Sequence, residues 1–167
     1  MISTAFIGFG SNIGNRQENL KQAINLLENS NSINILKISS IYESNAIDLS
    51  EENPQKFLNL VCLIETKFLA EELFLKLKEI EKTLGRNNKN NNLKFSRIID
   101  LDLLFFDDLI IKTENLTIPH PEALKRDFVL LPLAEIAPLN WKDPVNKLNY
   151  KDLITKITIN SNIQKLS

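Results

Sequence analysis

The sequence is poor in cysteine, the residue on which small disulfide-stapled folds depend. Only one cysteine, Cys62, occurs in 167 residues, so an internal disulfide is excluded. Its neighbours are apolar, which predicts a small buried side chain rather than a nucleophile. We therefore expect a protein of a reducing compartment.

Long apolar runs and an excess of charge of one sign are also missing. No run approaches the roughly 18 apolar residues of a membrane span, and the N-terminus lacks the basic and apolar regions of a signal peptide. The net charge is −1, so no overall field favours nucleic acid or an anionic membrane. These absences predict a cytoplasmic protein that binds neither.

The remaining composition is that of an ordinary globular domain. Hydrophobic residues make up 43% and charged residues 25% of the chain, and neither a repeat nor a linker divides it. We expect one domain over residues 1–167. The periodicities predict strands over 3–9, 33–42, 57–66 and 97–106, helices over 16–28, 70–84 and 151–157, a helix or turn over 129–137, and a hairpin involving 109–111.

The stretch from Arg97 to Phe106 contains the strongest chemical signal. Because side chains alternate along a strand, Asp100 and Asp102 project from one face, about 6.5–7 Å apart. Two carboxylates in so apolar a run are costly to bury without partners, and Mg²⁺ is the simplest partner for hard oxygen ligands. The alternative is a pair of strand-end acids that face solvent or a lysine.

Glycine is scarce, and three of the four glycines stand between residues 8 and 14. A dinucleotide-binding G-x-G-x-x-G would need its third glycine at Ile13, and no βαβ crossover with a well-placed acid follows. The pattern instead indicates a turn in which Gly10 lets another backbone or a flat ligand approach closely.

Two polar segments allow both a structural and a functional interpretation. Asn59, within an apolar strand, is either a satisfied structural amide or a contact for a ligand rich in donors and acceptors. The Asn-rich residues 86–96 reflect either the composition of the chain or a mobile lid. A lid would bring Arg86 and Arg97 beside the two aspartates.

The single histidine, His120, stands between two prolines. A lone histidine is more often structural than catalytic. With Lys125 and Arg126 nearby in sequence, an anion-binding site is the functional alternative.

Taken together, these features resemble the 6-hydroxymethyl-7,8-dihydropterin pyrophosphokinase family over residues 2–139. The most specific part is Arg97-Ile-Ile-Asp-Leu-Asp102, followed by Pro119-His120, with Asn59 upstream. The resemblance implies a ferredoxin-like α+β sandwich, with a mainly antiparallel sheet and helices packed on it. It also implies transfer of pyrophosphate from ATP to the hydroxymethyl group of a reduced pterin, with release of AMP, in folate biosynthesis by a monomer. Further support comes from 10–12, 39–42, 57–59, Glu81, 85–86, 126–128 and 132–138.

The resemblance also implies the residues of the site. Asp100 and Asp102 would hold two Mg²⁺ ions on the triphosphate, and together with Arg86 and Arg97 they would form the catalytic group. The ATP-binding residues would be Glu81, Arg97, Leu103 (isoleucine in the family), Thr117, His120 and Arg126. The pterin-binding residues would be Gly10, Ser44, Asn45, Ile47, Phe57, Asn59 and Phe128.

Several positions depart from the family pattern. Asn88 and Asn115 stand where arginines are expected, Pro121 where an aromatic residue is frequent, and residues 94–96 where Trp-Gly-Pro is common. Each arginine lost removes a charge-assisted phosphate contact of about 1.5–3 kcal/mol. We therefore expect weaker ATP binding than is typical, without loss of activity.

Two other classes fit the sequence less well. Nucleotidyltransferases that pair Gly-Ser with D-x-D place the two elements about a dozen residues apart, whereas Ser11 and Asp100 are 89 residues apart. A ferredoxin-like binding module explains the predicted sheet. It gives no reason for two aspartates, two arginines and a histidine around one strand.

Overall fold

The computed structural model describes residues 1–45, 55–85, 97–157 and 163–166. Strands and helices alternate along the chain. In order, the elements are β1 (Ser3–Ser11), α1 (Arg16–Glu28), β2 (Ile33–Ile38), β3 (Ile41–Ser44), β4 (Phe57–Thr66), α2 (Ala70–Thr83), β5 (Asp100–Phe106), β6 (Ile111–Lys112), β7 (Thr117–Ile118), a 3-10 turn (Ala123–Lys125), α3 (Asp127–Ile136), α4 (Tyr150–Lys156) and β8 (Gln164–Leu166).

A six-stranded sheet forms the centre of the molecule, with the order β5-β1-β4-β3-β8 and with β2 also paired to β4. Every pairing between its described strands is antiparallel. In this register Gly10 lies opposite Asn59 on β4 and opposite Asp100 on β5, while Gly8 lies opposite Asp102. The fold is therefore the predicted α+β, ferredoxin-like sandwich, and its register places the predicted site residues side by side.

The two faces of the sheet carry separate apolar cores. On one face Ile7 and Phe9 of β1 pack with Leu27 of α1 and Leu73 of α2. Cys62 also lies in this core, where burial and then the charge of Glu28 raise the pKa of its thiol to about 12, so the expectation of a buried, unreactive cysteine is confirmed.

The opposite face packs against α3. Phe6 of β1 joins Val61 and Leu63 of β4 in this second core, and Phe6 makes an edge-to-face contact with Trp141 at 5.5 Å between ring centroids. Further along the same face β1 carries only the glycines 8 and 10. Since side chains alternate along β1, this face is filled near Phe6 and open near Gly10.

Some predicted elements are correct and others are not. Helix 16–28 and strand 57–66 have the predicted bounds. The predicted strand 33–42 is two strands, because Ser39 interrupts the ladder: its Oγ accepts a hydrogen bond from the Val61 amide at 3.0 Å. Residues 109–111 were predicted to form a hairpin with the central strand β5; instead, Ile111 and Lys112 pair antiparallel with β7 in a separate two-stranded sheet.

None of the helices in the described parts of the chain is both long and apolar enough to cross a membrane.

Candidate active site

A cavity of about 450 Å³ opens where β1, β4 and β5 meet the N-terminal end of α3. It occupies the face of the sheet on which β1 carries glycine instead of larger side chains. Most of the predicted site residues line it together: Gly10, Ser44, Asn45, Phe57, Asn59, Arg97, Asp100, Asp102, His120, Arg126 and Phe128.

The two aspartates of β5 form an acidic pair on the wall of this cavity, as the alternation of side chains predicts. Burial raises the pKa of Asp102, and the charge of Asp100 raises it further, although His120, Lys78 and Arg97 act in the opposite direction. Two carboxylates that share a low-dielectric site repel each other. A divalent cation held by these two residues would relieve this repulsion, so the pair fits Mg²⁺.

The pair alone does not complete a metal site. Within the described ranges, no group of three or more His, Cys, Asp or Glu side chains is arranged to hold a metal ion. A cation bound by Asp100 and Asp102 would therefore take further ligands from water or phosphate oxygens, as Mg²⁺ commonly does.

Arg97 lies at the entrance to β5, and its guanidinium forms an ion pair with Asp100. The strand ladder does not hold this residue, because β5 begins only at Asp100. The turn after β1 contacts its backbone instead: the Asn12 amide donates to the Arg97 carbonyl at 3.1 Å, and the Arg97 amide donates to Asn12 Oδ1 at 2.6 Å.

His120 is held from both its backbone and its ring. Its amide donates to the Leu104 carbonyl at 2.9 Å, and its Nδ1 accepts from the Glu122 amide at 3.2 Å. With Nδ1 an acceptor, the neutral ring carries its proton on Nε2. The contact with the Glu122 amide therefore leaves Nε2 as the ring nitrogen that can donate a hydrogen bond.

Arg126 and Phe128 stand next to each other on the α3 side of the cavity. The Arg126 Cζ lies 5.7 Å from the centroid of the Phe128 ring, a cation–π contact. An anion-binding side chain and a flat apolar surface therefore adjoin each other in the same cavity.

The amide of Asn59 lines the cavity beside Gly10 of β1. Its Nδ2 donates to Ser44 Oγ at 2.9 Å and to the Tyr42 carbonyl at 3.3 Å. These bonds set the orientation of the amide and leave Oδ1 beside Gly10. The two interpretations of Asn59 are thus compatible, because the side chain is both structurally satisfied and directed at the cavity.

Three residues predicted to bind ATP do not line this cavity. Leu103 is buried in the core beneath α1 and α2, and Thr117 lies in β7. Glu81 is 2% exposed, and its Oε1 accepts from the Leu101 amide at 2.7 Å and from Lys78 Nζ at 3.1 Å. Arg86 and Ile47, like positions 88, 95 and 96, lie outside the described residues.

The structure also brings in residues that the sequence did not predict. Gly8 and Val129 line the cavity, and Asn12 with Ser11 contacts the backbone of residues 97 and 98. Gly8 could have been predicted from its spacing, because it precedes Gly10 by two positions and therefore shares its face of the strand. The contact of Asn12 has no local sequence signal, because its partner is the Arg97 backbone, 85 positions away.

The site combines an acidic pair suited to Mg²⁺, hydrogen-bond donors suited to phosphate, and an amide beside aromatic rings. Such an arrangement, on an antiparallel sheet without a P-loop, is that of a metal-assisted phosphoryl- or pyrophosphoryl-transferring enzyme.

Sequence comparison then gives the family. Residues 6–138 match the model of the 7,8-dihydro-6-hydroxymethylpterin-pyrophosphokinase (HPPK) family. The 2-amino-4-hydroxy-6-hydroxymethyldihydropteridine pyrophosphokinase of Aquifex aeolicus is 42% identical over 138 residues, 82% of each chain. Its counterpart from Bacillus subtilis is 40% identical over 137 residues, 81% of this chain and 79% of the relative. The chain belongs to this family and is a pyrophosphokinase of folate biosynthesis, which transfers pyrophosphate from ATP to the hydroxymethyldihydropterin.

Solved structures give the same fold. The wild-type HPPK-DHPS of Plasmodium falciparum, in its structure with SDX-DHP, superposes with a TM-score of 0.72 at 19% identity, over 98% of this chain and 47% of that chain. In its structure with pteroate it superposes with a TM-score of 0.76 at 17% identity, over 99% and 48%. The chain thus spans about half the length of these structures.

Proposed function

We propose that the cavity beside Asp100 and Asp102 is the catalytic site of this pyrophosphokinase. The proposal rests on one observation: groups with complementary chemistry line the same cavity. They are the acidic pair, the hydrogen-bond donors Arg97, His120 and Arg126, and the amide of Asn59. In the proposed reaction the substrate hydroxyl oxygen bonds to the β-phosphorus of ATP. The bond from that phosphorus to the AMP moiety breaks.

The acidic pair is proposed to hold two Mg²⁺ ions on the triphosphate. The raised pKa of Asp102 supports this role, because its carboxylate is buried and also lies beside the charge of Asp100. Bound there, the ions would neutralise charge on the phosphate oxygens and help the substrate hydroxyl to lose its proton.

Three side chains are proposed to bind the phosphates of ATP. The guanidiniums of Arg97 and Arg126 offer paired donors with the geometry of phosphate oxygens. His120 adds a further donor through Nε2. Donors fixed in this way stabilise charge that develops on phosphate oxygens during transfer.

The pterin is proposed to lie over Gly10, with its polar edge at Asn59 and its ring against Phe57 and Phe128. Gly10 has no side chain to fill this part of the cavity, and Asn59 Oδ1 lies beside it. Ser44 and Asn45 complete this part of the cavity.

Other roles stay predictions. Glu81, Leu103 and Thr117 are proposed for the nucleoside part of ATP, which would then extend past the cavity. Arg86 and Ile47 keep the roles that the family resemblance implies. A monomeric enzyme with a single domain over 1–167, located in the cytoplasm and bound to neither membrane nor nucleic acid, is likewise proposed.

The test is AMP release from ATP by the purified protein, measured with and without 6-hydroxymethyl-7,8-dihydropterin and Mg²⁺. We expect AMP only when both are present, and none after chelation of the metal. Asp102→Ala should abolish turnover, whereas Asp108→Ala, the same change at an exposed carboxylate after β5, should not. AMP formation without pterin would contradict the proposed reaction, and turnover by the Asp102 variant would contradict the metal assignment.

A further inference from the structure

We propose that Asn12 is a positioning residue of the reaction, which holds the Arg97 backbone so that its guanidinium stays beside Asp100. This inference rests on the role proposed above for Arg97.

The first observation is the reciprocal contact between the two residues. The Asn12 amide donates to the Arg97 carbonyl at 3.1 Å, while Asn12 Oδ1 accepts from the Arg97 amide at 2.6 Å. Both backbone polar groups of Arg97 are thus paired with one residue from the other end of the sequence. Asn12 is 4% exposed, so water does not easily replace its side chain as the acceptor.

The second observation is that the neighbouring residue extends the attachment. Ser11 Oγ donates to the Ile98 carbonyl at 2.6 Å. Asn19 of α1 in turn donates through Nδ2 to Ser11 Oγ at 3.1 Å and to the Ile13 carbonyl at 2.8 Å. The turn after β1 is therefore fixed to α1, and it supports residues 97 and 98 where the β5 ladder has not yet begun.

These contacts determine where the Arg97 side chain lies. The Arg97 side chain reaches Asp100 from a backbone that Asn12 fixes, three residues before the acid. Without the side-chain acceptor, the Arg97 amide would lose its partner and the peptide could rotate. A displacement of about 1 Å in a group that contacts a reacting phosphate typically costs about 100-fold in rate.

A purely structural role for Asn12 predicts a different result. In that case its loss would lower the free energy of unfolding but leave the turnover of the folded enzyme unchanged. A positioning role predicts a lower kcat that depends on the presence of the Arg97 side chain. The two roles are therefore separated by a double-mutant cycle.

The experiment measures kcat and KM for Asn12→Ala, Arg97→Ala and the double variant, at a temperature where each is folded. We expect Asn12→Ala to lower kcat by roughly 10- to 100-fold in the wild-type background, and by less than about threefold in the Arg97→Ala background, because residues that act as a unit are non-additive. The KM for the pterin should change little. Asn12→Asp, which keeps an acceptor at Oδ1, should recover most of the rate.

Asp143→Ala is the matched control for fold stability. Asp143 is fully buried and accepts from the Val145, Asn146 and Leu148 amides, and it does not line the cavity. We expect this variant to unfold at a lower temperature with kcat unchanged. If Asn12→Ala does not fold, Ser11→Ala takes its place in the cycle, with the same expected non-additivity.

Equal losses in both backgrounds, or an unchanged kcat, would overturn the positioning role. A wild-type protein without AMP release would instead reject the proposed site chemistry. Full activity in Arg97→Ala would reject the role of the arginine. The failure of each idea therefore has its own signature.

Discussion

At the scale of a single residue, Gly10 decides how deep the cavity is. It lies between Asn59 on β4 and Asp100 on β5. A Cβ at this position would stand 3.6 Å from Asn59 Oδ1 and 3.7 Å from Phe57 Cδ1, which are ordinary contact distances. The protein itself therefore has room for a methyl group, but that room is the floor on which the proposed pterin would lie.

Gly10→Ala should for this reason impair binding without impairing the fold. We expect the KM for the pterin to rise by about tenfold or more, while the free energy of unfolding changes by less than about 1 kcal/mol. Steady-state kinetics with each substrate varied in turn, together with urea unfolding, would measure both. An unchanged KM for the pterin would place the ligand elsewhere. The KM for ATP serves as the internal control.

The sequence predicted which residues line the cavity better than it predicted their contacts. Asp100, Asp102 and Asn59 were recognisable because polar side chains in apolar strands need a reason to be there. The orientation of His120 was not recognisable, because it depends on the Glu122 amide rather than on a side chain. Glu81 was assigned to ATP, and its bond to a backbone amide 20 residues away has no sequence signal.

At the scale of elements, the contact between α2 and β5 supports the acidic pair from behind. Among the described strands, β5 is at the edge of the sheet, so one side of its backbone has no strand partner within that part of the chain. Glu81 Oε1 accepts from the Leu101 amide at 2.7 Å, and Lys78 Nζ donates to the Leu101 carbonyl at 3.1 Å. Leu101 is the residue between the two aspartates, so α2 fixes the strand at that point.

Removing the acceptor of Glu81 should destabilise the protein. Glu81→Leu would leave the Leu101 amide unpaired in a buried place, at a cost of about 1–3 kcal/mol. Glu81→Gln keeps an acceptor of the same length and should retain most of the stability. Urea unfolding of the two variants would measure the difference in their free energies of unfolding, provided that the dependence of this free energy on urea concentration (the m value) is the same in both. Equal midpoints for the two variants would show that the bond to Leu101 contributes little.

The bounds of helices and strands were predictable where buried positions recur regularly along the element. They were not predictable where a single contact or a long-range pairing decides them. Strand β4 is buried along almost its whole length and α1 has a clear apolar stripe, so their bounds were correct. The break between β2 and β3 depends on the Ser39 hydroxyl, and the three residues of β8 are mostly exposed. Such features follow from long-range pairing, which a short segment does not encode.

At the scale of the whole molecule, Glu135 joins three parts of the fold. It lies on α3, and its carboxylate accepts from the Ser40 amide at 2.8 Å and from the Tyr42 hydroxyl at 2.7 Å. It also forms an ion pair with Lys165 of β8. The second core, the start of β3 and the edge strand β8 are thus connected through one carboxylate.

This connection should make the stability depend on pH in the acid range. Burial raises the pKa of Glu135, but the hydrogen bonds from Lys165, Ser40 and Tyr42 outweigh it and lower the pKa from 4.5 to about 2. Above about pH 4.5 the carboxylate is charged in the folded and unfolded chain, and its bonds contribute in full. Between about pH 4.5 and 2 this carboxylate is protonated in the unfolded chain but still ionised in the folded chain, so the free energy of unfolding falls as the pH falls.

Urea unfolding between pH 6 and 2 would measure this loss. We expect Glu135 to account for about 2–3 kcal/mol of it, and Glu135→Gln to be less stable near pH 6 but to lose correspondingly less on acidification. Glu79→Gln is the matched control, because its ion pair with Lys76 is exposed and contributes little. If Glu135→Gln and the wild type lost stability in parallel, the carboxylate would not connect the three parts in the way that its contacts indicate.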